Sequence, residues 1–132
     1  IMNTKTALAA IEAGADAIVV SNHGGRVMDT MPGTAEVLPE IANSVAGRVK
    51  ILVDGGIREG IDILKMLALG ADAVMIGRPI CIAAFGAAQE GVEFYLDQKR
   101  SELKKAMILT GCPDINHIDP SVIVRDSKGQ VY

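Results

Sequence analysis

The sequence predicts an α/β fold with parallel strands, and three observations carry that prediction. Short β-branched runs recur at Ala17-Ile18-Val19-Val20, Val49 to Val53 and Ala73 to Ile76. Near-continuous apolar runs of this length fit strands buried on both faces, as in parallel sheets. Each run follows a segment with helical spacing, and each is left by a polar, glycine-rich turn: Ser21 to Arg26, Asp54 to Arg58, and Gly77-Arg78-Pro79. Function collects at the carboxyl ends of strands in (β/α) barrels and in doubly wound sheets, so the asymmetry suits either.

The first helix is expected over Thr6 to Ala13, where Leu8 and Ile11 sit among alanines and Gly14 takes the place of a helix stop. Thr34 to Ala46 reads as the second. Thr34 is its candidate N-cap, Leu38, Ile41, Ala42 and Val45 form one stripe, and Gly47 ends it. Ile61 to Leu69 is apolar apart from Asp62 and Lys65 and stops at Gly70, the composition of a helix packed between a sheet and its neighbours. Gly14-Ala15-Asp16-Ala17 returns as Gly70-Ala71-Asp72-Ala73, a helix end, tight turn and buried strand used twice. After Pro79 we expect a short helix, then a longer one from about Val92 to Leu109, striped by Val92, Tyr95, Leu96, Leu103, Ala106 and Met107. Its acids (Glu90, Glu93, Asp97) come early and its bases (Lys99, Arg100, Lys104, Lys105) mostly late, as the helix dipole favours. Cys112 to Tyr132 is punctuated by Pro, Asp, Asn and Gly and reads as an irregular tail.

Composition closes off several classes. At 49% hydrophobic residues the chain is too apolar for disorder, and a net charge of -3 argues against a nucleic-acid surface. The longest uncharged apolar stretch, Pro79 to Ala88, is too short for a bilayer span of about 20 residues. Cys81 and Cys112 fit reduced intracellular cysteines that pack and do not react, which points to the cytoplasm. A length of 132 residues suits one domain. The chain nevertheless opens on Ile1 with no charged leader, and we read that start as a cut.

Two of the strand-end turns repeat one physical idea. Asp54-Gly55-Gly56-Ile57-Arg58 and Gly77-Arg78 would be neighbours at the ends of adjacent strands. Glycine lets backbone amides approach an anion, arginine supplies fixed charge, and a helix begins after each turn, which together make a phosphate cradle. Barrel enzymes hold phosphate in the loops after their last two strands. Singly, these glycines are ordinary turn residues; the pair is what points to phosphate.

The first turn is different in kind. Ser21, His23 and Arg26 offer a hydroxyl, an imidazole and a guanidinium within six residues. Histidine is the residue type suited to taking a proton at neutral pH, and arginine grips a carboxylate in bidentate fashion. The plainer alternative is a loop histidine bonded to backbone. A base beside a carboxylate clamp, opposite a phosphate-anchored cofactor, suggests oxidation of a small carboxylic acid. Asp29 is placed either to pair with Arg26 or to stand solvated. His117 reads as a surface residue, and neither histidine forms a metal-ligand spacing with a cysteine, so no metal site is expected.

These blocks carry a resemblance. Ser21-Asn22-His23-Gly24-Gly25-Arg26, Asp54-Gly55-Gly56-Ile57-Arg58 and Ala68 to Ala73 running into Ile76-Gly77-Arg78-Pro79 resemble the C-terminal half of the FMN-dependent α-hydroxy acid oxidase/dehydrogenase family, glycolate and lactate oxidases among them. The second and third blocks also suit other FMN barrels, such as type 2 isopentenyl diphosphate isomerase and glutamate synthase; the first narrows the choice. The likeness runs from about Ile1 to Ile118.

It implies the C-terminal portion, about strands six to eight, of a (β/α)8 TIM barrel, with residues 1–132 forming part of one domain: barrel units and final helix to 111, tail from 112. It implies FMN as cofactor and a small L-2-hydroxy acid, lactate- or glycolate-like, as substrate, oxidised to the 2-oxo acid. His23 would be the base and Arg26 the carboxylate ligand. Ser21 would lie near the flavin ring, and Asp54, Gly55, Gly56, Arg58, Gly77 and Arg78 would hold the ribityl chain and phosphate. A homo-oligomer of tetramer-like form is implied for the whole enzyme. Val27 stands where the family often has Gln. The family's flavin-binding lysine, the carboxylate partner of the histidine, the tyrosines over the substrate and a second arginine belong to the half upstream of Ile1, so the chain alone is expected to be inactive. Its open sheet edge and apolar inner face are expected to invite association. A non-catalytic module that binds phosphate or FMN is the alternative from another class.

Overall fold

The computed structural model describes residues 1–124. Its elements are α1 (Thr4–Glu12), β1 (Ala17–Val20), α2 (Thr34–Val45), β2 (Lys50–Val53), α3 (Gly60–Ala68), β3 (Ala73–Val74) and α4 (Arg78–Thr110), with 3-10 turns at His23–Gly25 and Pro120–Val122. The strands form one parallel sheet in the order β1-β2-β3, with Ile18 opposite Ile51 and Val20 opposite Val53.

Those four residues are buried in a cluster with Ala7 of α1, Leu38, Ile41 and Val45 of α2, and Met66 of α3. In-register neighbours point the same way, so the three helices lie on one face of the sheet. Spatial order equal to chain order, with helices on one face, is the arrangement of a barrel arc; a doubly wound sheet reverses its order and is covered on both sides. Strands buried on both faces were expected, and one face is. Val19 is 38% exposed, and Ala17 and Ala73 are exposed beside it, because the helices of the core all sit on the other side. Each fully buried Leu, Ile or Val of the cluster contributes about 1.5–3 kcal/mol by leaving water.

Local chemistry sets the helix ends. Asn3 starts α1 earlier than expected, its carboxamide oxygen accepting the Thr6 N–H at 2.9 Å. Gly33, not Thr34, is the N-cap of α2, and the Glu36 carboxylate accepts the Gly33 N–H at 2.9 Å. Thr34 is the first helical residue because its hydroxyl is engaged elsewhere, donating to the Asp54 carbonyl at 2.6 Å. The repeated Gly-Ala-Asp-Ala blocks fold alike. Gly14 (φ 89°) and Gly70 (φ 107°) each follow a helix, and equivalent bonds form in both: Gly14 N–H to Ile11 and Ala15 N–H to Ala10, Gly70 N–H to Leu67 and Ala71 N–H to Met66. This is a Schellman end, which only a residue at ease with positive φ closes cheaply.

α4 breaks at Ala87 and Ala88, the latter at φ 48°, giving the expected short and long segments in one run from Arg78 to Thr110. Its stripe departs from expectation at two places. Leu96 is 46% exposed, whereas Lys99, one turn beyond Tyr95, is 6% exposed. The lysine is tolerated inside because its ammonium donates to both Glu102 oxygens, at 2.6 and 2.7 Å. Of the two free cysteines Cys112 is buried as expected, while Cys81 is exposed on the first turns of α4. Residues 112–124 are irregular apart from the second 3-10 turn; the remainder of the expected tail, 125–132, lies outside the described residues. Among the described residues no helix is long and apolar enough to cross a membrane.

Candidate active site

The three strand-end turns meet in one cleft of about 590 Å³. His23 and Arg26 line it from the turn after β1, Asp54, Gly55, Gly56 and Arg58 from the turn after β2, and Gly77 and Arg78 from the turn after β3.

A set of short bonds builds the first turn. Ser21 Oγ accepts the His23 N–H at 3.1 Å, Asn22 Oδ1 accepts the Gly24 N–H at 3.0 Å, and Asn22 Nδ2 donates to the Pro32 carbonyl at 3.1 Å. They hold His23 at φ 56°, a left-handed conformation uncommon for a residue with a side chain. The ring is left exposed at the cleft. Ser21 thus works on the loop, and among the residues expected to touch the cofactor it alone does not line the cleft.

The second turn is tied to α2. A Cβ on Gly55, which sits at φ 104°, would lie 2.6 Å from Thr34 Oγ1, so glycine is required for both backbone and space. Asp54 Oδ1 is buried with no hydrogen-bond partner among the described residues. A buried polar atom left unpaired costs about 1–3 kcal/mol, and a ligand hydroxyl placed there would recover it.

The amides divide unexpectedly. The N–H groups of Arg58 and Glu59 go to Asp62 Oδ2, and that of Gly60 goes to Glu102 at 2.8 Å. The start of α3 therefore does not serve an anion as expected, because carboxylates of the chain already occupy it. The N–H groups of Gly55, Gly56, Gly77 and Arg78 have no acceptor among the described residues. A Cβ on Gly56 or Gly77 would meet nothing within 4 Å, so both turns face open space. Arg78, the first residue of α4, reaches back to the first turn: a Cβ on Gly24 would lie 3.4 Å from its Nη2.

Arg26, Arg58 and Arg78 are exposed at the cleft, and none has a carboxylate partner among the ion pairs of the described residues. Three guanidinium groups and four amides with no partner among the described residues line one space, which favours a multiply charged, oxygen-rich anion. With the orphaned Asp54 oxygen as an acceptor for a hydroxyl, the donor set fits a phosphate monoester on a polyol chain. His117 is exposed and pairs with Asp114 at 2.5 Å, as a surface residue does. Asp29 is exposed and forms no ion pair with Arg26 among the described residues. Among them no group of three or more His, Cys, Asp or Glu side chains is placed to hold a metal. Sequence reasoning missed Ile57, Met75, Pro79, Ile82 and Tyr95 as lining residues. Tyr95 carried a signal only as a stripe residue of α4; its place at the cleft depends on how that helix docks.

A barrel arc with a histidine, arginines and a glycine-rich cradle at the strand ends is the arrangement found in phosphate-binding (β/α)-barrel enzymes. The chain belongs to the FMN-dependent dehydrogenase family, whose sequence model matches residues 1–125. It is 48% identical over 118 residues to a peroxisomal (S)-2-hydroxyacid oxidase of Arabidopsis thaliana, covering 89% of this chain and 32% of that one. It is 51% identical over 122 residues to an L-lactate oxidase of Lactobacillus jensenii, covering 90% and 30% respectively. A solved mutant of mandelate oxidase with a monooxide FMN adduct superposes with a TM-score of 0.88 at 45% identity, covering 91% of this chain and 38% of that one. The chain thus spans only 30–38% of the length of these relatives.

Proposed function

We propose that this chain supplies the proton-accepting and phosphate-holding part of an FMN-dependent enzyme that oxidises a small L-2-hydroxy acid, lactate- or glycolate-like, to the 2-oxo acid. The observation that carries the reading is that His23, three arginines and strand-end amides, these arginines and amides without partners among the described residues, line one cleft. Arg26 binds the substrate carboxylate beside the base. His23 takes a proton from the substrate on a ring nitrogen, while the α-hydrogen and an electron pair leave the substrate. Bound FMN supplies the acceptor for that pair. Arg58, Arg78 and the amides of Gly55, Gly56, Gly77 and Arg78 hold the phosphate, and Asp54 Oδ1 accepts from a ribityl hydroxyl.

Ser21 shapes the loop that presents His23, which we favour over the expected contact with the ring. The relatives' names support the substrate class: one is an L-lactate oxidase, another an (S)-2-hydroxyacid oxidase. The free cysteines suit a reducing compartment such as the cytoplasm, though the Arabidopsis relative is named peroxisomal. A homo-oligomer is our reading for the complete enzyme.

In this reading the chain has the cradle without the rest of the barrel, so it binds FMN through the phosphate and does not turn over. Mixing it with FMN and L-lactate without oxygen should leave the flavin absorbance unbleached. Bleaching as fast as that of a complete relative would overturn the division of labour proposed here. Co-expression with the remaining part of a relative's barrel should restore bleaching.

A further inference from the structure

The cleft has a lining side chain that the strand-end turns do not supply. Tyr95, half-buried on the second segment of α4, lines it together with Arg58, Gly77 and Pro79. The Lys99 ammonium sits over its ring, 5.2 Å from the ring centroid. Lys99 is itself held by Glu102, and Glu102 accepts the Gly60 N–H at 2.8 Å. Tyr95 is thereby anchored to the start of α3, two residues past the Asp54–Arg58 turn.

Its hydroxyl lies 3.5 Å from the Arg58 carbonyl oxygen. A good O–H···O bond spans about 2.5–3.0 Å, so the phenolic proton has only a weak acceptor there. A phenol with a nearly uncommitted proton, in the same cleft as Arg58 and Arg78, which have no carboxylate partner among the ion pairs of the described residues, is a donor in search of an anionic oxygen.

We propose that Tyr95 is a further binding residue for the cofactor phosphate, donating its hydroxyl to a phosphate oxygen beside Arg58. The inference rests on the cleft's being an FMN site and adds to it a side chain from outside the strand-end motifs.

The test is a flavin-fluorescence titration of the whole chain with FMN and with riboflavin, which has the same ring and ribityl chain but no phosphate. The wild-type chain should bind FMN more tightly than riboflavin. Tyr95→Phe should raise the FMN Kd about tenfold, as loss of one hydrogen bond to a charged group does. Its riboflavin affinity and thermal unfolding midpoint should not change. Unchanged FMN affinity in Tyr95→Phe would overturn the proposal, and so would an equal loss for both ligands, which would assign the effect to the loop or the ring. If the wild-type chain shows no preference for FMN over riboflavin, the cleft itself has been misread, a result distinct from a silent Tyr95→Phe.

Discussion

His23 is held at φ 56° between Asn22 and two left-handed glycines, so its backbone is better suited to glycine than to any residue with a Cβ. Such a backbone costs stability, and residues held this way cluster at functional sites, which motivates a test of the His23 side chain. The comparison of His23→Ala with His23→Gly separates the two roles. Both variants should lower hydroxy-acid turnover of a reconstituted enzyme by about 10²–10⁴-fold, the usual loss on removing a general base. The glycine variant should be about 1 kcal/mol more stable than the alanine variant in urea unfolding, since alanine keeps the strained conformation and glycine does not. Turnover that survives both substitutions would remove His23 from the chemistry.

Among the elements, α3 is tied to α4 by a hydrogen bond to a charged group: Glu102, ion-paired with Lys99 within α4, accepts the Gly60 N–H. Glu102 is held below the ordinary carboxyl value of 4.5, first by the Lys99 hydrogen bond and further by the Gly60 N–H and the Lys99 charge, against burial and the charge of Asp62. At the other end of the sheet, burial tends to raise Asp72. The Lys50 hydrogen bond, the Ile51 N–H and the Lys50 charge outweigh it and leave the group lowered. A carboxyl depressed by folding binds its proton less readily in the folded state than in the unfolded chain. Its contribution is therefore full above the ordinary value and is lost as pH falls through the folded one. Urea unfolding between pH 6 and pH 3 should show stability declining toward acid. Glu102→Gln should flatten part of that decline, and at pH 7 it should cost about 1–3 kcal/mol because Lys99 is left inside without its counter-charge. An acid slope identical to wild type would mean that the α3–α4 clasp does not titrate with folding.

For the whole molecule, legibility followed sequence distance. His23 with Arg26, Asp54 with its glycines and Arg58, and Gly77 with Arg78 are contiguous blocks, so their meeting in one cleft could be expected before any packing was known. The bonds that redirected that reading are long-range. Glu102 takes the Gly60 amide from 42 residues away, and Thr34 gives up its capping role to a carbonyl 20 residues on. Lys99 stood outside the expected apolar stripe, and its burial depends on Glu102 and Tyr95. The choice between a barrel arc and a doubly wound sheet depended on which face the helices share, which no run of branched residues records. Val19 on the uncovered sheet face, Phe85 at 94% exposure and Phe94 at 74% on α4 are apolar surface of the kind that interfaces cover.

The twin turns at Gly14 and Gly70 make the chain a matched experiment on itself. Both glycines close the same bonds at similar positive φ, yet a methyl on Gly14 would meet nothing within 4 Å, while one on Gly70 would lie 2.6 Å from the Ala42 Cβ. Gly14→Ala should therefore lose only the backbone preference, about 1–2 kcal/mol. Gly70→Ala should lose that and a further penalty of about 1–3 kcal/mol for overpacking. The change in unfolded-chain entropy is common to both substitutions and cancels in the difference between their unfolding free energies. One protein thus carries both the reference and the measurement, and subtracting one variant from the other weighs a single steric contact free of the turn that houses it.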